Sequence, residues 1–394
     1  MKRVYLDYAA GIGNPFSVHA EGREAKKILD DARSRIGAVL NCRAEEIVFT
    51  GSGTEANNLA IFGVPPGHII STNIEHHSVL GPLQKRGNVT YVPVKPNGIV
   101  DPLDIAKALR PDTVLVSVIY ANNEIGTIQP IAEIAKIIRN FRKSKLQNPN
   151  HKELKFGASD LEFTGKLPAF HVDACQAAGF LDINVQNLGV DLMTINGSKI
   201  YGPKGTGALF VRRGVRLAPM ILGGDQERGL RAGTENPELL MEFAKALAAA
   251  DARRERESKR LIFLRDRIIT SILTEIPGSY LNGDPIQRLP NNINISFEDI
   301  DGEMLMLALD LKGIAVSTGA ACTVTSNEPS HVLRAISPQP IATTPPAPLI
   351  GKGGGRGGIV GNLRITLGHS TTKKDLEYTL EVLKKEVAKM RARS

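Results

Sequence analysis

Short runs of apolar and β-branched residues recur along the first half of the chain, separated by segments with helical spacing. The runs, between about residues 45 and 215, are EEIVFT, GHIIST, VTYVPV, TVLVSVIY, FHVDA, LMTIN and GALFVRR. The intervening segments include EANNLAIFG after the first run and IAEIAKIIRNFRK after the fourth. Strands that alternate with helices in this way are typical of a mostly parallel sheet. The pattern predicts an α/β domain with a seven-stranded sheet flanked by helices.

From Glu238 onward the pattern changes to a single long run with helical spacing, ELLMEFAKALAAADARRERESKRLIFLRDRIITSIL. We interpret this helix as the connection into a second, smaller α+β domain. A chain of 394 residues, 42% of them hydrophobic, is long enough for one large core and a smaller one. We therefore expect a large domain over residues 14–248 and a small domain built from residues 1–13 and 249–394.

Two segments differ in composition from their surroundings and are interpreted as insertions. Residues 143–166 are polar and rich in turn-forming residues, and residues 337–361 are rich in proline and then in glycine. We expect both to lie outside the regular elements. The GKGGGRGG run in the second segment lacks the spacing and the following Ser or Thr of a nucleotide-binding phosphate loop, so it predicts only a loop.

Charge and cysteine content exclude several classes of protein. The formal charge of +8 does not indicate nucleic-acid binding, because Lys and Arg are interspersed with Asp and Glu, as in DARRERESKRL. No apolar run reaches the roughly 18 residues of a membrane-spanning helix, and the opening MKRVYLDYAAG lacks a signal-peptide core. A cytoplasmic protein with no membrane partner is expected. Cys42, Cys175 and Cys322 form no CxxC pair and are too few for a disulfide framework, so no metal is expected.

One turn between a predicted strand and a predicted helix has the composition of a phosphate site. In EEIVFTGSGTEANNLAIFG, backbone N–H groups and the Thr54 hydroxyl would meet at the positive end of the helix. The same residues also fit a simple helix cap. The turn is therefore a candidate anion site that needs support from elsewhere in the chain.

Asp173 and Lys199 supply that support. Asp173 ends the predicted strand in HVDACQAAG, and Lys199 lies between strand LMTIN and a Gly-Pro turn in NGSKIYGPKG. Burial at such a position favours a neutral lysine amine, which attacks aldehydes. A surface lysine in a turn is the alternative, but a carboxylate at a strand end is the partner that a pyridinium nitrogen requires. With the phosphate seat, the two residues predict pyridoxal 5′-phosphate bound as a Schiff base on Lys199.

Four longer motifs identify a family. HVDACQ, NGSKIYGPKGTGALFVRR, RGLRAGTEN and STGAACTVTSNEPSHVLRAI resemble the cysteine desulfurases of the NifS/IscS type, which belong to the class V aminotransferases. The resemblance extends from YLDYAA near the start to LRITLGHSTT near the end, and the two insertions interrupt it. It implies a large domain that binds pyridoxal 5′-phosphate and a small domain that carries a catalytic cysteine loop.

The resemblance implies a role for each matching residue. Lys199 anchors the cofactor and acts as a base, Asp173 pairs the pyridine nitrogen, and His76 of IEHHSV stacks on the ring and takes part in catalysis. The residues implied to bind the ring oxygen or the phosphate are Gln176, Asn123 of YANNEIG, Gly53, Thr54 and Ser198. Thr234 is implied to reach the phosphate of the other subunit of a homodimer, and Arg364 of LRITLG to clamp the substrate carboxylate.

Cys322 decides the reaction that the resemblance implies. It lies in STGAACTVTSNEPS, where small and polar neighbours predict an exposed loop with a reactive thiolate. In the family this cysteine takes sulfur from L-cysteine, leaving L-alanine and a persulfide. The segment from Cys322 to Pro329 resembles the longer loop of members that pass sulfur to iron–sulfur scaffold proteins. The implied partners are L-cysteine, a second copy of the chain and a sulfur-acceptor protein, in iron–sulfur cluster assembly or tRNA thiolation.

Departures from the family pattern leave alternatives open. GIGNPFSVHAEG follows YLDYAA without the segment that normally borders the substrate entrance, and Ser198 stands where many members carry a histidine. The alternatives are a selenocysteine lyase, another class V aminotransferase-like enzyme, and a weakly active scaffold relative. Cys322 argues against plain transamination, whereas the set of Asp173, Lys199 and Cys322 argues against a scaffold.

Overall fold

The computed structural model describes residues 3–147, 167–319, 330–337 and 360–393. The chain divides into two compact units. The first comprises Met1–Val92, Pro102–Tyr120 and Pro130–Arg253, and the second comprises Pro93–Asp101, Ala121–Gln129 and Arg254–Ser394.

These units differ from the predicted domain boundaries in three ways. The amino-terminal segment before residue 14 lies in the first unit and not in the smaller one, the division near the end of the first unit falls at residue 253, and two short segments around residues 97 and 125 belong to the second unit. The short segments make antiparallel bridges in which Thr127 pairs with Arg288 and Val94 with Val100. The pairing of Thr127 with Arg288 joins residues that are distant in sequence, and such a pairing cannot be seen in the local hydrophobic pattern that predicts the boundaries.

A seven-stranded sheet forms the centre of the first unit, as predicted. Its strand order is β1-β7-β6-β5-β4-β2-β3. The strands are β1 (Ile47–Thr50), β2 (His68–Thr72), β3 (Val89–Val92), β4 (Thr113–Ile119), β5 (Ala169–Asp173), β6 (Leu192–Asn196) and β7 (Gly207–Val211). Only β7 runs antiparallel to its neighbours, β1 and β6. All seven apolar runs of the sequence therefore correspond to strands of one mostly parallel sheet.

Helices in the first unit precede or connect these strands, as the helical spacing predicts. They are α1 (Ala20–Leu40), α2 (Gly53–Gly63), α3 (His77–Arg86), α4 (Pro102–Ala108), α5 (Ile131–Leu146) and α6 (Val185–Leu188). Every residue of β1, β2, β4, β5 and β7 is buried. Strands that are covered on both faces need continuous apolar sequences, which explains why these runs stand out so clearly in the chain.

The long helical run is confirmed as α7 (Pro237–Glu275). The second unit contains a three-stranded antiparallel sheet in the order β10-β9-β8. Its elements are β8 (Ser279–Leu281), β9 (Asn292–Glu298), α8 (Gly302–Asp310), α9 (His331–Ile336), β10 (Val360–Thr366) and α10 (Lys373–Arg391). Helix α10 begins with a capping box between Thr372 and Asp375. This unit is of the expected α+β type.

The carboxyl ends of β1, β2, β4, β5 and β6 lie at one edge of the large sheet, because these strands are parallel to one another. At this edge β7 begins with Gly207, which pairs with Thr50 on one side and with Asn196 on the other. A Cβ atom at Gly207 would lie 2.6 Å from the carbonyl carbon of Ser52. The absence of a side chain at Gly207 therefore lets the turn after β1 approach the sheet.

We expect Gly207→Ala to destabilise the chain by about 1–3 kcal/mol, because the added methyl group must push the Ser52 backbone away. The matched control is Gly81→Ala in α3, since a Cβ atom there meets nothing within 4 Å. That substitution should leave stability unchanged or raise it by up to about 1 kcal/mol through helix propensity. Urea unfolding of the three proteins measures both changes, and equal midpoints for the two variants would contradict the close approach at Gly207.

Candidate functional site

Three segments of the first unit meet at the carboxyl edge of the sheet. They are the start of α2, the turn after β5 and the end of β6. A Cβ atom at Gly53 would lie 2.6 Å from Cys175 Sγ and 3.3 Å from Asn196 Nδ2. Only glycine permits this packing, so Gly53 brings the amino end of α2 against the residues that follow both strands.

Asp173 is the last residue of β5 and is 4% exposed. Its Oδ2 accepts a hydrogen bond from Asn57 Nδ2 at 2.8 Å, and its Oδ1 accepts one from the backbone N–H of Cys175 at 3.0 Å. Both carboxylate oxygens are therefore held in fixed positions. A buried carboxylate gains most from a cationic partner, and a protonated pyridine nitrogen is such a partner.

Lys199 lies in a one-turn 3-10 helix, Gly197–Ile200, directly after β6. The Asn196 side chain caps this turn by accepting hydrogen bonds from the backbone N–H and the hydroxyl of Ser198, at 2.8 and 2.9 Å. The expected burial of Lys199 is wrong, because the lysine is exposed in this chain. The physical reason is that Ser198 and Lys199 lie on the exposed side of this short helix, whereas Gly197 and Ile200 lie on its buried side.

The Cys175 thiol lies close enough to both Asp173 and Lys199 for each charge to affect its pKa. Burial and the neighbouring Asp173 carboxylate raise the pKa of the Cys175 thiol well above its usual value, whereas the charge of Lys199 opposes this rise. Lys199 thus acts electrostatically on the same small region that contains Asp173. A thiol with a raised pKa stays protonated and unreactive.

The amino end of α2 has the properties of an anion site. Its cap is Ser52, whose hydroxyl accepts a hydrogen bond from the N–H of Glu55 at 3.1 Å, so Thr54 is not the capping residue. Gly53 is buried and Thr54 is exposed. The first N–H groups of a helix have no carbonyl partner within it and attract negative charge. Gly53 and Thr54 therefore fit a phosphate group.

His76 is connected to Asp173 by two buried residues that the sequence analysis missed. Asn57 Nδ2 donates to Ser78 Oγ at 2.8 Å as well as to Asp173, and Ser78 Oγ lies 2.7 Å from His76 Nδ1. Asn57 is a polar residue in the otherwise apolar buried side of α2, and that pattern was the only signal for it in the sequence. His76 itself is half-buried and caps α3.

The remaining predicted residues are distributed as follows. Gln176 is half-buried after β5, and Thr234 is exposed. Asn123 and Arg364 belong to the second unit, where Arg364 Nη1 donates to the Asn123 carbonyl at 3.2 Å. Arg364 is held in β10 opposite Asn294 of β9. Cys322 and most of both predicted insertions lie outside the described residues.

These residues fit pyridoxal 5′-phosphate. The first unit offers a buried carboxylate for the ring nitrogen, an accessible lysine amine for the aldehyde, and a helix terminus for the phosphate. In the described ranges, no group of three or more His, Cys, Asp or Glu side chains is placed to hold a metal ion. Nor does any helix in those ranges have the length and hydropathy needed to cross a membrane.

Comparison with protein families agrees with this geometry. The model of the class-V aminotransferases matches residues 1–146 and 167–379. The chain belongs to this family. The match omits residues 147–166, which fall within the first predicted insertion, but it continues through the second, residues 337–361.

Individual members of the family resemble the chain over nearly its full length. Cysteine desulfurase IscS of Dictyoglomus turgidum is 43% identical, in an alignment that covers 99% of this chain and 96% of that protein. Cysteine desulfurase IscS 1 of Archaeoglobus fulgidus is 41% identical, in an alignment that covers 97% of this chain and 91% of that protein.

Solved structures of related proteins share the fold. A NifS-like protein superposes with a TM-score of 0.79 at 30% identity, over 97% of this chain and 93% of its own. The NifS-like protein from Rickettsia africae gives a TM-score of 0.77 at 29% identity, over 94% of this chain and 91% of its own. The fold is therefore that of a class-V aminotransferase of the NifS-like type.

Glu75, next to His76, is a second buried carboxyl group beside the site. Its Oε1 accepts hydrogen bonds from Thr72 Oγ1 at 2.6 Å and from the Ile119 N–H at 3.0 Å. Burial raises the pKa of Glu75 to about 8, and the nearby Asp173 charge acts in the same direction. Glu75 is therefore neutral at pH 7 in the folded chain.

Glu75→Gln should become more stable relative to the wild type as the pH rises from about 4.5 to about 8. Over this interval the unfolded chain releases the Glu75 proton and the folded chain keeps it, so this carboxyl group makes rising pH favour unfolding in the wild type and not in the variant. Thermal unfolding midpoints of both proteins across this range test the prediction. Glu133→Gln, an exposed position in α5, is the control, and a constant difference between Glu75→Gln and the wild type would refute the neutral carboxyl.

Proposed function

We propose that this chain is a cysteine desulfurase, which uses pyridoxal 5′-phosphate to convert L-cysteine to L-alanine and leaves the sulfur as a persulfide on Cys322. The placement of Asp173 carries the cofactor assignment, because a buried carboxylate with both oxygens held by N–H donors is prepared for a cationic ring nitrogen. The relatives named cysteine desulfurase, similar over nearly the whole chain, support the choice of substrate.

Each residue of the proposed site has a defined task. When bound, the cofactor supplies an electron sink for the α-carbon of an amino acid. Asp173 pairs the ring nitrogen, Gly53, Thr54 and Ser198 hold the phosphate, and Gln176 and Asn123 hydrogen-bond the ring oxygen. Arg364 binds the substrate carboxylate by a two-point ion pair, for which its place in β10 provides a rigid support.

Lys199 and Cys322 carry the chemical steps. Lys199 acts as a base that removes the α-proton of the substrate and later returns a proton. The Cys322 thiolate attacks the substrate sulfur, so that a sulfur–sulfur bond forms and the carbon–sulfur bond breaks. The electron pair of the broken bond remains with the carbon, which takes up a proton to become the methyl group of L-alanine.

We also infer a homodimer, in which Thr234 of one subunit reaches the phosphate held by the other. Large apolar side chains of the first unit support this inference, since Leu6 is 89% exposed, Val18 is 87% exposed and Leu222 is 79% exposed. Apolar side chains exposed to this degree are stabilised when a partner surface covers them. We place the dimer in the cytoplasm, where a sulfur-acceptor protein of iron–sulfur cluster assembly would take the persulfide from Cys322.

Lys199→Ala should remove the yellow absorbance of the bound cofactor and abolish L-alanine formation, because the proposed covalent bond to the cofactor is made by the Lys199 amine. Lys204→Ala, an exposed lysine in the same NGSKIYGPKG segment, is the matched control and should keep both properties. Absorbance spectra and an alanine assay with L-cysteine test this pair. A covalently held cofactor in Lys199→Ala would show that another lysine is the anchor.

Cys322→Ala should keep the cofactor absorbance but lower sulfide release from L-cysteine with a reductant by at least about two orders of magnitude. Cys42→Ala serves as the control, since burial raises the pKa of the Cys42 thiol to about 12 and keeps it unreactive. Continued sulfide release at the wild-type rate by Cys322→Ala would exclude its role as the nucleophile.

A further inference from the structure

His76 lies at one end of a hydrogen-bonded chain of side chains that begins at Asp173. The connecting residues are Asn57, which is 1% exposed, and Ser78, which is 8% exposed. The three links measure 2.8 Å from Asn57 Nδ2 to Asp173 Oδ2, 2.8 Å from Asn57 Nδ2 to Ser78 Oγ, and 2.7 Å from Ser78 Oγ to His76 Nδ1. All four residues of this hydrogen-bonded series belong to the first unit.

The direction of the first two links follows from the chemistry of their acceptors. An ionised carboxylate only accepts hydrogen bonds, so the group of Asn57 that faces Asp173 must be its NH₂ group. The second hydrogen of the same NH₂ group then points to Ser78 Oγ. Asn57 Oδ1 is buried without a hydrogen-bond partner among the described residues. The Asn57 side chain therefore acts here through the two N–H donors of its NH₂ group.

The direction of the third link follows from the cap of α3. The backbone N–H of Ser78 donates to His76 Nδ1 at 3.1 Å, and a backbone N–H cannot act as an acceptor. His76 Nδ1 must therefore carry a lone pair and not a proton. Because Ser78 Oγ already accepts from Asn57, its own O–H is available to donate to the same nitrogen at the shorter distance of 2.7 Å.

We propose that Ser78 is a positioning residue that locks His76 in the tautomer with its proton on Nε2, and that Asn57 holds the Ser78 hydroxyl in this orientation. Neutral His76 then presents an N–H donor at Nε2, whereas its Nδ1 is committed to the two donors of Ser78. The tautomer is a property of the folded chain alone. Its consequence for the rate rests on the proposed function and on the part in catalysis that the family resemblance implies for His76.

The tautomer is tested directly by NMR on the full chain labelled with ¹⁵N-histidine, with and without pyridoxal 5′-phosphate at neutral pH. A long-range proton–nitrogen correlation distinguishes protonated from unprotonated ring nitrogens, and His76→Gln identifies the signals. We expect His76 Nδ1 to be unprotonated and Nε2 to be protonated. A protonated Nδ1 would overturn the proposal, whatever reaction the enzyme performs.

Three variants test the roles of Ser78 and Asn57. Ser78→Ala should move the His76 Nδ1 signal towards that of a weakly bonded nitrogen, Ser78→Thr should restore it, and Ser34→Ala on the exposed side of α1 should leave it unchanged. Asn57→Asp replaces the donor by an acceptor, which draws the Ser78 proton away from His76, so the signal should move in the same direction as in Ser78→Ala. A wild-type signal in Ser78→Ala or in Asn57→Asp would contradict the role assigned to that residue.

The kinetic consequence is measured on the loaded enzyme. Ser78→Ala should lower kcat for L-alanine formation on the order of tenfold, the effect of one hydrogen bond, with KM changed less than about twofold, and Ser78→Thr should recover the rate. An unchanged kcat alongside the expected NMR shift would overturn the catalytic consequence while leaving the tautomer in place. If no protein forms L-alanine, the proposed function fails and the NMR results still decide the tautomer.

Discussion

The first unit depends on the placement of one negative charge, the Asp173 carboxylate, away from water. A buried charge is costly unless donors surround it or an opposite charge lies beside it. Asn57 and the Cys175 N–H supply the donors, and a protonated pyridine nitrogen would supply the charge. The position of Asp173 at the end of β5 therefore sets the proposed position of the cofactor ring. Lys199 and the amino end of α2 lie near Asp173, where they can bind the aldehyde and the phosphate of the same molecule.

Close packing at the carboxyl edge of the sheet keeps that arrangement rigid. Gly53 lets α2 approach the residues after β5 and β6, and Gly207 lets the turn before α2 approach β7. Protein interiors are dense enough that a single methyl group at such a contact displaces its neighbours. Two glycines thus bring Asn57, in the second turn of α2, within hydrogen-bond distance of Asp173.

Two buried carboxyl groups near His76 have different surroundings. Glu75 accepts two hydrogen bonds, but burial dominates and keeps it neutral at pH 7. Asp173 accepts hydrogen bonds from two N–H donors, at 2.8 and 3.0 Å. The two donors hold the Asp173 carboxylate in an orientation that suits a cationic partner.

The sequence alone was sufficient for the seven strands, the long α7 helix, and the positions of Asp173 and the α2 turn, because each depends on local spacing and burial. It also placed Lys199 correctly after β6, but it did not reveal that the lysine is exposed. Tertiary structure decided the rest. Asn57 and Ser78 acquire their roles from contacts between α2, α3 and β5, and Glu75 acquires its role from contacts with the ends of β2 and β4. The segment around residue 125 belongs to the second unit for the same reason, since its backbone pairing with residues 287–289 leaves no trace in the local pattern.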